Sequence, residues 1–425
     1  MASPLLSALF TAVWTALVLA CGAALAWRAS GPHGRPWDPT SPGRLLVVFH
    51  LGLVGLGSLW LTLTGESIGA GPLLGAYGLL AYGVGAAAAA WRWGIQDPPS
   101  AAASVGRLRP AVLVGLAVVG LGAVATIAAS SGLPLLSEDA QGARSAYGGL
   151  LFDLFRWLVP VAGLVALGVA LATRRPAHVG LAAAAIGGTI ALELLLASRA
   201  LPFELALAAL LVAWWAGRRL SRRAWAGLAA AALVVFVGVQ LLRVGAVGGF
   251  TGVADAAAFS VRRTVDRVIL IQPRALDVLV TAIPAEEPYF RGATYLRRVT
   301  TILGGEEPRT LGYWIFERLF PAQPGGFAAP GVLGEAWANF GPLALLLMGL
   351  LGAGGQALGR LIGRFGSGAA DRALAAVLVI ALARTYATSL NGFLLTVGVA
   401  VLWRLAVSFP ERPGWLRRST ARPMG

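Results

Sequence analysis

Apolar runs of about 20 residues recur along the whole chain, and each is long enough to cross the hydrocarbon core of a bilayer as an α-helix. Within lipid every backbone N–H and C=O must be satisfied inside the protein, so such a chain forms either a helical bundle or a closed barrel. The alternating apolar–polar pattern of barrel strands is absent. The runs are instead rich in Ala, Leu and Gly, small residues that let helices approach closely. Only 12% of residues are charged, against roughly 25% in soluble domains, and mean hydropathy is +0.74. The expected class is an all-α polytopic membrane protein.

The reading gives about eleven transmembrane helices: Leu5–Trp27, Leu45–Thr64, Gly71–Trp91, Ala111–Ser130, Leu150–Ala172, Val179–Ala197, Leu201–Gly217, Trp225–Val244, Leu333–Leu358, Ala373–Leu390 and Phe393–Phe409. Four regions follow. Residues 1–244 hold the first eight spans, 245–332 form one large loop, 333–409 hold the last three spans, and 410–425 are a basic tail.

Charge selects the orientation. There is no lysine, so all 34 basic residues are arginine. Alternate connections, with the tail, hold 20 of these arginines against four acids. The remaining 14 arginines share the other side with 15 acids. Cytoplasmic loops carry the basic excess, so the N-terminus is expected outside and the C-terminus in the cytoplasm. The formal net charge of +15 and pI near 11.4 are then an orientation signal with an attraction to anionic lipid, and no nucleic-acid partner is expected.

The same inventory excludes several chemistries. Without lysine there is no phosphate-binding P-loop. A single cysteine, Cys21, permits neither an internal disulfide nor a thiolate cluster. The histidines are His33, His50 and His178, with no HExxH pattern, so no metal and no cofactor are expected. All three fall on or near the cytoplasmic side of this topology.

The long loop is the polar exception, with nine arginines and eight acids between Gly245 and Val332. Its length and variety place function on the outer face. Asp255 to Ile283 reads as amphipathic helix, with Phe259, Val265, Ile269, Leu276, Leu279 and Ile283 on one side and a break at Pro273. Such a helix can lie in the membrane interface as a lid. Beyond Pro284 regular structure is not expected, because Gly and Pro become dense.

Charges in or near the spans need a reason, because each costs roughly 2.5–3.5 kcal/mol at mid-membrane. In this topology Arg144, Arg156, Arg199, Arg243, Arg298 and Arg384 can converge at one outer depth. Taken singly, each has a plain alternative in an ion pair, such as Glu193 or Glu204 with Arg199. Taken together, they suit a dianionic ligand such as a pyrophosphate, which the planar guanidinium grips through paired donors. A transfer to a hydroxyl also needs a base, and with histidine on the wrong side a carboxylate must serve. Glu335 is the first choice, with Asp139 and Glu193 in reserve. It lies where a Pro/Gly-rich loop enters a span, and partial desolvation there suits a base. The plain alternative, a glutamate stabilised at a helix N-terminus, stands equally open.

Three stretches resemble the Wzy-type polymerases of bacterial O-antigen and related surface polysaccharides. GLPLLSEDAQGAR (Gly132–Arg144) is similar to the family's outer-loop Gly-x-Pro-Leu motif. LELLLASRALPFELALAALLV (Leu192–Val212) is similar to its Ser-Arg turn, which carries Arg199. The section from Phe290 to Gly341, ending PGVLGEAWANFG, is similar to a loop finishing in Gly-Glu-x-x-x-Asn-Phe-Gly, which carries Glu335 and Asn339. The pattern departs at RLFPAQPGG (Arg318–Gly326), where Gln323 replaces a frequent lysine.

The resemblance implies a lipid-dependent inverting glycosyltransferase of the GT-C-like membrane class in the bacterial inner membrane, acting at the periplasmic face. Its partners would be undecaprenyl-pyrophosphate-linked oligosaccharides, membrane lipid and a chain-length regulator protein. It implies catalytic roles for Glu335, Arg199 and Arg298. Arg144, Arg156, Arg243, Arg318, Arg384 and Asn339 would bind pyrophosphate or glycan. Two rivals stand beside it: an O-antigen ligase, disfavoured by the lack of an outer-loop histidine, and a transporter or flippase of lipid-linked glycans.

Overall fold

The computed structural model describes residues 4–31, 41–67, 69–94, 110–134, 150–196, 200–217, 252–296, 310–322, 326–365 and 368–388, with single positions or short pieces between 221 and 238 and between 390 and 401. Among the described residues the structure is helical and holds no strand. Five helices there are long and apolar enough to cross a membrane: Ser7–Ala29, Pro42–Leu63, Ala70–Trp93, Pro176–Leu195 and Gly331–Leu361. Shorter apolar helices accompany them at Ala117–Ser130, Leu158–Thr173 and Leu201–Trp215. The chain is a helical membrane protein. The eighth and eleventh expected spans lie largely outside the described residues.

Local chemistry sets the helix ends. Helix α1 runs Pro4–Ala29 and α2 runs Pro42–Leu63, with a π-turn at Leu51–Gly55. Ser41 caps α2 by accepting the Arg44 N–H, and Pro42 takes the first turn, where no donor is missed. Helix α3 (Ala70–Trp93) stops at Gly94 in the left-handed region. There follow α4 (Pro110–Ser131), α5 (Leu150–Thr173), α6 (Pro176–Leu195) and α7 (Ala200–Trp215).

The bundle has two lobes sharing one apolar core. One lobe is α1, α2 and α3 with a later helix, α12 (Ala344–Phe365). The other is α4 to α7 with α13 (Ala369–Arg384), which also touches α2 and α12 and so joins the lobes. In the first lobe backbones meet almost directly. A Cβ on Gly83 would lie 2.6 Å from the Gly22 carbonyl oxygen, and on Gly85 or Gly352 it would strike the carbonyls of Gly349 or Tyr82. Small residues are required where α3 crosses α1 and α12.

The long loop departs from expectation. Helix α8 (Val253–Val265) leads through a π-turn, Asp266–Leu270, into α9 (Ile271–Ala282) without a break at Pro273. Pro273 sits in the first turn of α9, where its missing N–H costs little, and the wide turn before it relieves the ring's clash with the preceding carbonyls. Nor do the expected apolar residues share one surface. Phe259 and Val265 on α8 are exposed, whereas Leu276, Leu279 and Ile283 are fully buried. The reason is tertiary: α9 packs against α3 inside the bundle. Of the two helices, α8 is the one that keeps the expected apolar residues Phe259 and Val265 exposed.

The stretch beyond Pro284 also forms regular structure. Helix α10 (Leu311–Leu319) stacks on α9, and with α11 (Gly331–Phe340) they enclose a second apolar cluster around Leu279, Ile283, Trp314, Ile315 and Ala338. The ninth expected span is discontinuous. After α11 the chain makes a 3-10 turn, Gly341–Leu343, before α12 begins. Gly341 has φ +59, and a Cβ there would stand 2.6 Å from the Tyr289 ring. The positive φ at Gly341 interrupts the helix, and Pro342 has no N–H to donate to the preceding turn.

Candidate functional site

Helix α11 carries the site. Its entry is fixed by Gly331 (φ +64), where a Cβ would meet the Gln272 Oε1 and the Tyr386 carbonyl oxygen at 2.6 Å each. The Val332 N–H donates to the Thr385 carbonyl at 2.8 Å. The helix therefore starts against α9 and the turn that follows α13. Glu335 lies one turn further on, 3% exposed.

Both carboxylate oxygens of Glu335 are engaged. Oε1 accepts from the Thr294 hydroxyl at 3.1 Å, and Oε2 accepts from the Leu390 N–H at 3.0 Å. An ionised carboxylate offers about four lone-pair positions, so two bonds leave room for a further proton donor. Asn339, one turn below and also buried, accepts the Gly292 N–H on Oδ1 at 2.8 Å. Its Nδ2 donates to Thr294 Oγ1 at 2.6 Å and to the Glu335 carbonyl at 2.8 Å. Both donor bonds of this amide thus go to the protein, and its oxygen keeps one lone pair.

The partner of this network is a short strap, residues 289–296. The Phe290 and Arg291 N–H groups donate to the carbonyls of Ala338 and Asn339 at 3.0 and 3.1 Å. These carbonyls end α11 and have no partner in their own helix. Tyr295 on the strap stacks on Phe340 with ring centroids 6.0 Å apart. Burial pushes the Tyr295 phenol up from its ordinary value, and the neighbouring Glu335 charge adds to this. Tyr295 therefore stays a neutral hydroxyl beside the carboxylate.

Arg384 closes α13 and precedes by six residues Leu390, whose N–H reaches Glu335. Its guanidinium meets Glu204 of α7, Nε to Oε1 at 3.3 Å and Nη1 to Oε2 at 3.4 Å. The side chain remains 36% exposed. The partly open cation and the N–H that bonds the buried carboxylate are thus six residues apart in the chain. The Thr388 hydroxyl stiffens this stretch by bonding the Arg384 carbonyl at 3.0 Å.

Arg318 lies elsewhere, at the end of α10. It pairs with Glu286 at 2.8 Å and reaches Glu287 at 3.9 Å, with its guanidinium 4.1 Å from the centroid of the Trp314 ring. Trp314 Nε1 donates to Glu287 at 2.7 Å. These contacts tie α10 to the turn after α9. Arg144, Arg199, Arg243, Arg298 and Asp139 lie outside the described residues. Arg156 is on α5, but its side chain lies outside them too. Glu193 is buried on α6. Among the described residues no group of three His, Cys, Asp or Glu side chains could hold a metal ion.

Sequence reasoning missed Thr294, Tyr295 and the Leu390 N–H. The Arg291–Gly292 pair was the available signal. Both residues adopt positive φ, and a glycine after a short Pro-flanked stretch marks a turn. The chain matches no family model, no curated protein and no solved structure.

Proposed function

We propose that this chain polymerises polyprenyl-pyrophosphate-linked oligosaccharide repeat units into O-antigen or a related surface polysaccharide, at the periplasmic face of a bacterial inner membrane. The N-terminus lies outside, the C-terminus is cytoplasmic, and about eleven spans form the bundle. The observation that carries the reading is the buried Glu335 carboxylate. It is held through both oxygens with lone pairs to spare, and one of its two donors, the Leu390 N–H, follows six residues after the partly open Arg384.

In this reaction Glu335 takes the proton of an acceptor sugar hydroxyl. The hydroxyl oxygen attacks the anomeric carbon of the donor glycan on the face opposite the pyrophosphate. The carbon–oxygen bond to pyrophosphate breaks and polyprenyl pyrophosphate leaves with the electron pair, inverting the anomeric centre. Arg384, Arg199 and Arg298 stabilise the charge that develops on the leaving group, with Arg144, Arg156, Arg243 and Arg318 contributing to the binding of pyrophosphate and glycan. No cofactor enters the balance.

The test is purified protein in nanodiscs given lipid-linked repeat units. A ladder of products is expected, and Glu335→Gln should lower its rate by about 10²–10⁴-fold, the usual contribution of a general base. Product formed only when a lipid A core acceptor is added would assign the chain to the ligases. The broken helix at Gly341–Leu343 favours one other reading, a transporter or flippase of lipid-linked glycans, since many secondary transporters place discontinuous helices at their substrate site. Flipping in proteoliposomes without polymer would support it.

A further inference from the structure

We propose that Thr294 is a positioning residue for Glu335: steered by Asn339, its hydroxyl holds the carboxylate as an acceptor and puts the base under the control of the 289–296 strap. The inference rests on the reading of Glu335 as the base.

The polarity of the network carries the argument. The Gly292 N–H lies 2.8 Å from Asn339 Oδ1, which fixes the orientation of the amide. Its nitrogen then faces Thr294 Oγ1 at 2.6 Å and the Glu335 carbonyl at 2.8 Å, and both are acceptors. A threonine hydroxyl owns one proton. With Asn339 donating to its oxygen, that proton is turned towards Glu335 Oε1 at 3.1 Å. The bonds from Gly292 through Asn339 and Thr294 therefore run in one direction to the carboxylate, and such donation favours the ionised form.

Nothing on α11 itself supplies this donor. It arrives with the strap, which docks through the Phe290 and Arg291 N–H groups on the last carbonyls of the helix. Thr294 is 9% exposed, so water does not readily replace its hydroxyl. Valine has the same shape and no proton to give. Thr294→Val therefore leaves the packing in place while the carboxylate loses one of its two donors.

Infrared titration of the full-length protein in nanodiscs reads the effect without substrate. The carboxylic acid band of Glu335 is isolated by difference against Glu335→Gln. For Thr294→Val the titration midpoint should rise by about one pH unit, a tenfold change in proton affinity. Thr294→Ser should restore the wild-type midpoint. If the valine variant does not fold, Thr294→Ala takes its place. A midpoint unmoved by loss of the hydroxyl, or moved equally by serine, overturns the proposal. The polymer ladder is measured in parallel at the same pH values, and its acid limb should follow the midpoint. A moved midpoint in a protein that makes no ladder supports the role of Thr294 and sinks the polymerase reading. A ladder with an unmoved midpoint sinks the role of Thr294 alone.

Discussion

The first lobe and the strap region solve the same problem by opposite means. Where α3 meets α1 and α12, contact depends on what is missing: Gly22, Gly83, Gly85, Gly349 and Gly352 let backbones touch. Where α11 meets the strap, contact depends on what is present, a chain of amide, hydroxyl and carboxylate groups with each donor spoken for. In lipid there is little hydrophobic gain from bringing apolar helices together, so close van der Waals fit must hold the lobe. The strap region instead encloses buried polar groups, which are costly unless paired. The lobe is a scaffold with no room for a side chain at Gly22, Gly83, Gly85 and Gly352, and the strap region is a site whose buried acceptors depend on the donors it brings.

The largest effect should come from adding bulk to the lobe. Gly352→Leu drives a side chain into the Tyr82 carbonyl. Overpacking of this kind costs about 1–3 kcal/mol or more where the neighbour is backbone. The expected result is loss of the monodisperse species in size-exclusion chromatography, and a well-folded variant would show that the lobe can separate. An intermediate effect should follow Glu204→Gln. It frees Arg384, whose 36% exposure limits the cost to the fold, so the thermal midpoint should barely move. Polymerisation should fall about tenfold, or ~1.4 kcal/mol of transition-state stabilisation, because the cation is no longer held in place. Unchanged activity would detach Arg384 from the site. The smallest effect belongs to Arg274→Gln, which breaks the exposed 2.8 Å pair with Glu66. Surface pairs contribute about 0–1 kcal/mol, so a loss of stability beyond that range would mean that the turn after α2 belongs to the scaffold.

The scaffold was far more legible in the sequence than the site. Apolar length alone marks α1, α2, α3 and α6, because a span's hydropathy is a local property. The break at Gly341–Pro342 was hidden by the same measure. Apolar residues continue on both sides of it, so the run reads as one span although the backbone cannot. Glu335 was legible from its place between a Gly/Pro-rich entry and an apolar run. Thr294 was not, because its partners lie 41 and 45 residues further along the chain and threonine in a loop carries no pattern. The arginines show a further limit. Position along a span gives the depth of a charge but not its direction. Arg318, which the resemblance assigns to ligand binding, lies at the end of α10 against Glu286 and Trp314.

The interruption at residues 341–343 also bears on the order of assembly. A helix that stops inside a membrane protein leaves carbonyls that lipid cannot satisfy. Here the Ala338 and Asn339 carbonyls receive the Phe290 and Arg291 N–H groups. Residue 290 leaves the ribosome about fifty residues before residue 341, and translation runs at roughly 5–20 residues per second. The donors are therefore synthesised seconds before the carbonyls that need them, and the chain never has to insert this helix end ahead of its partner.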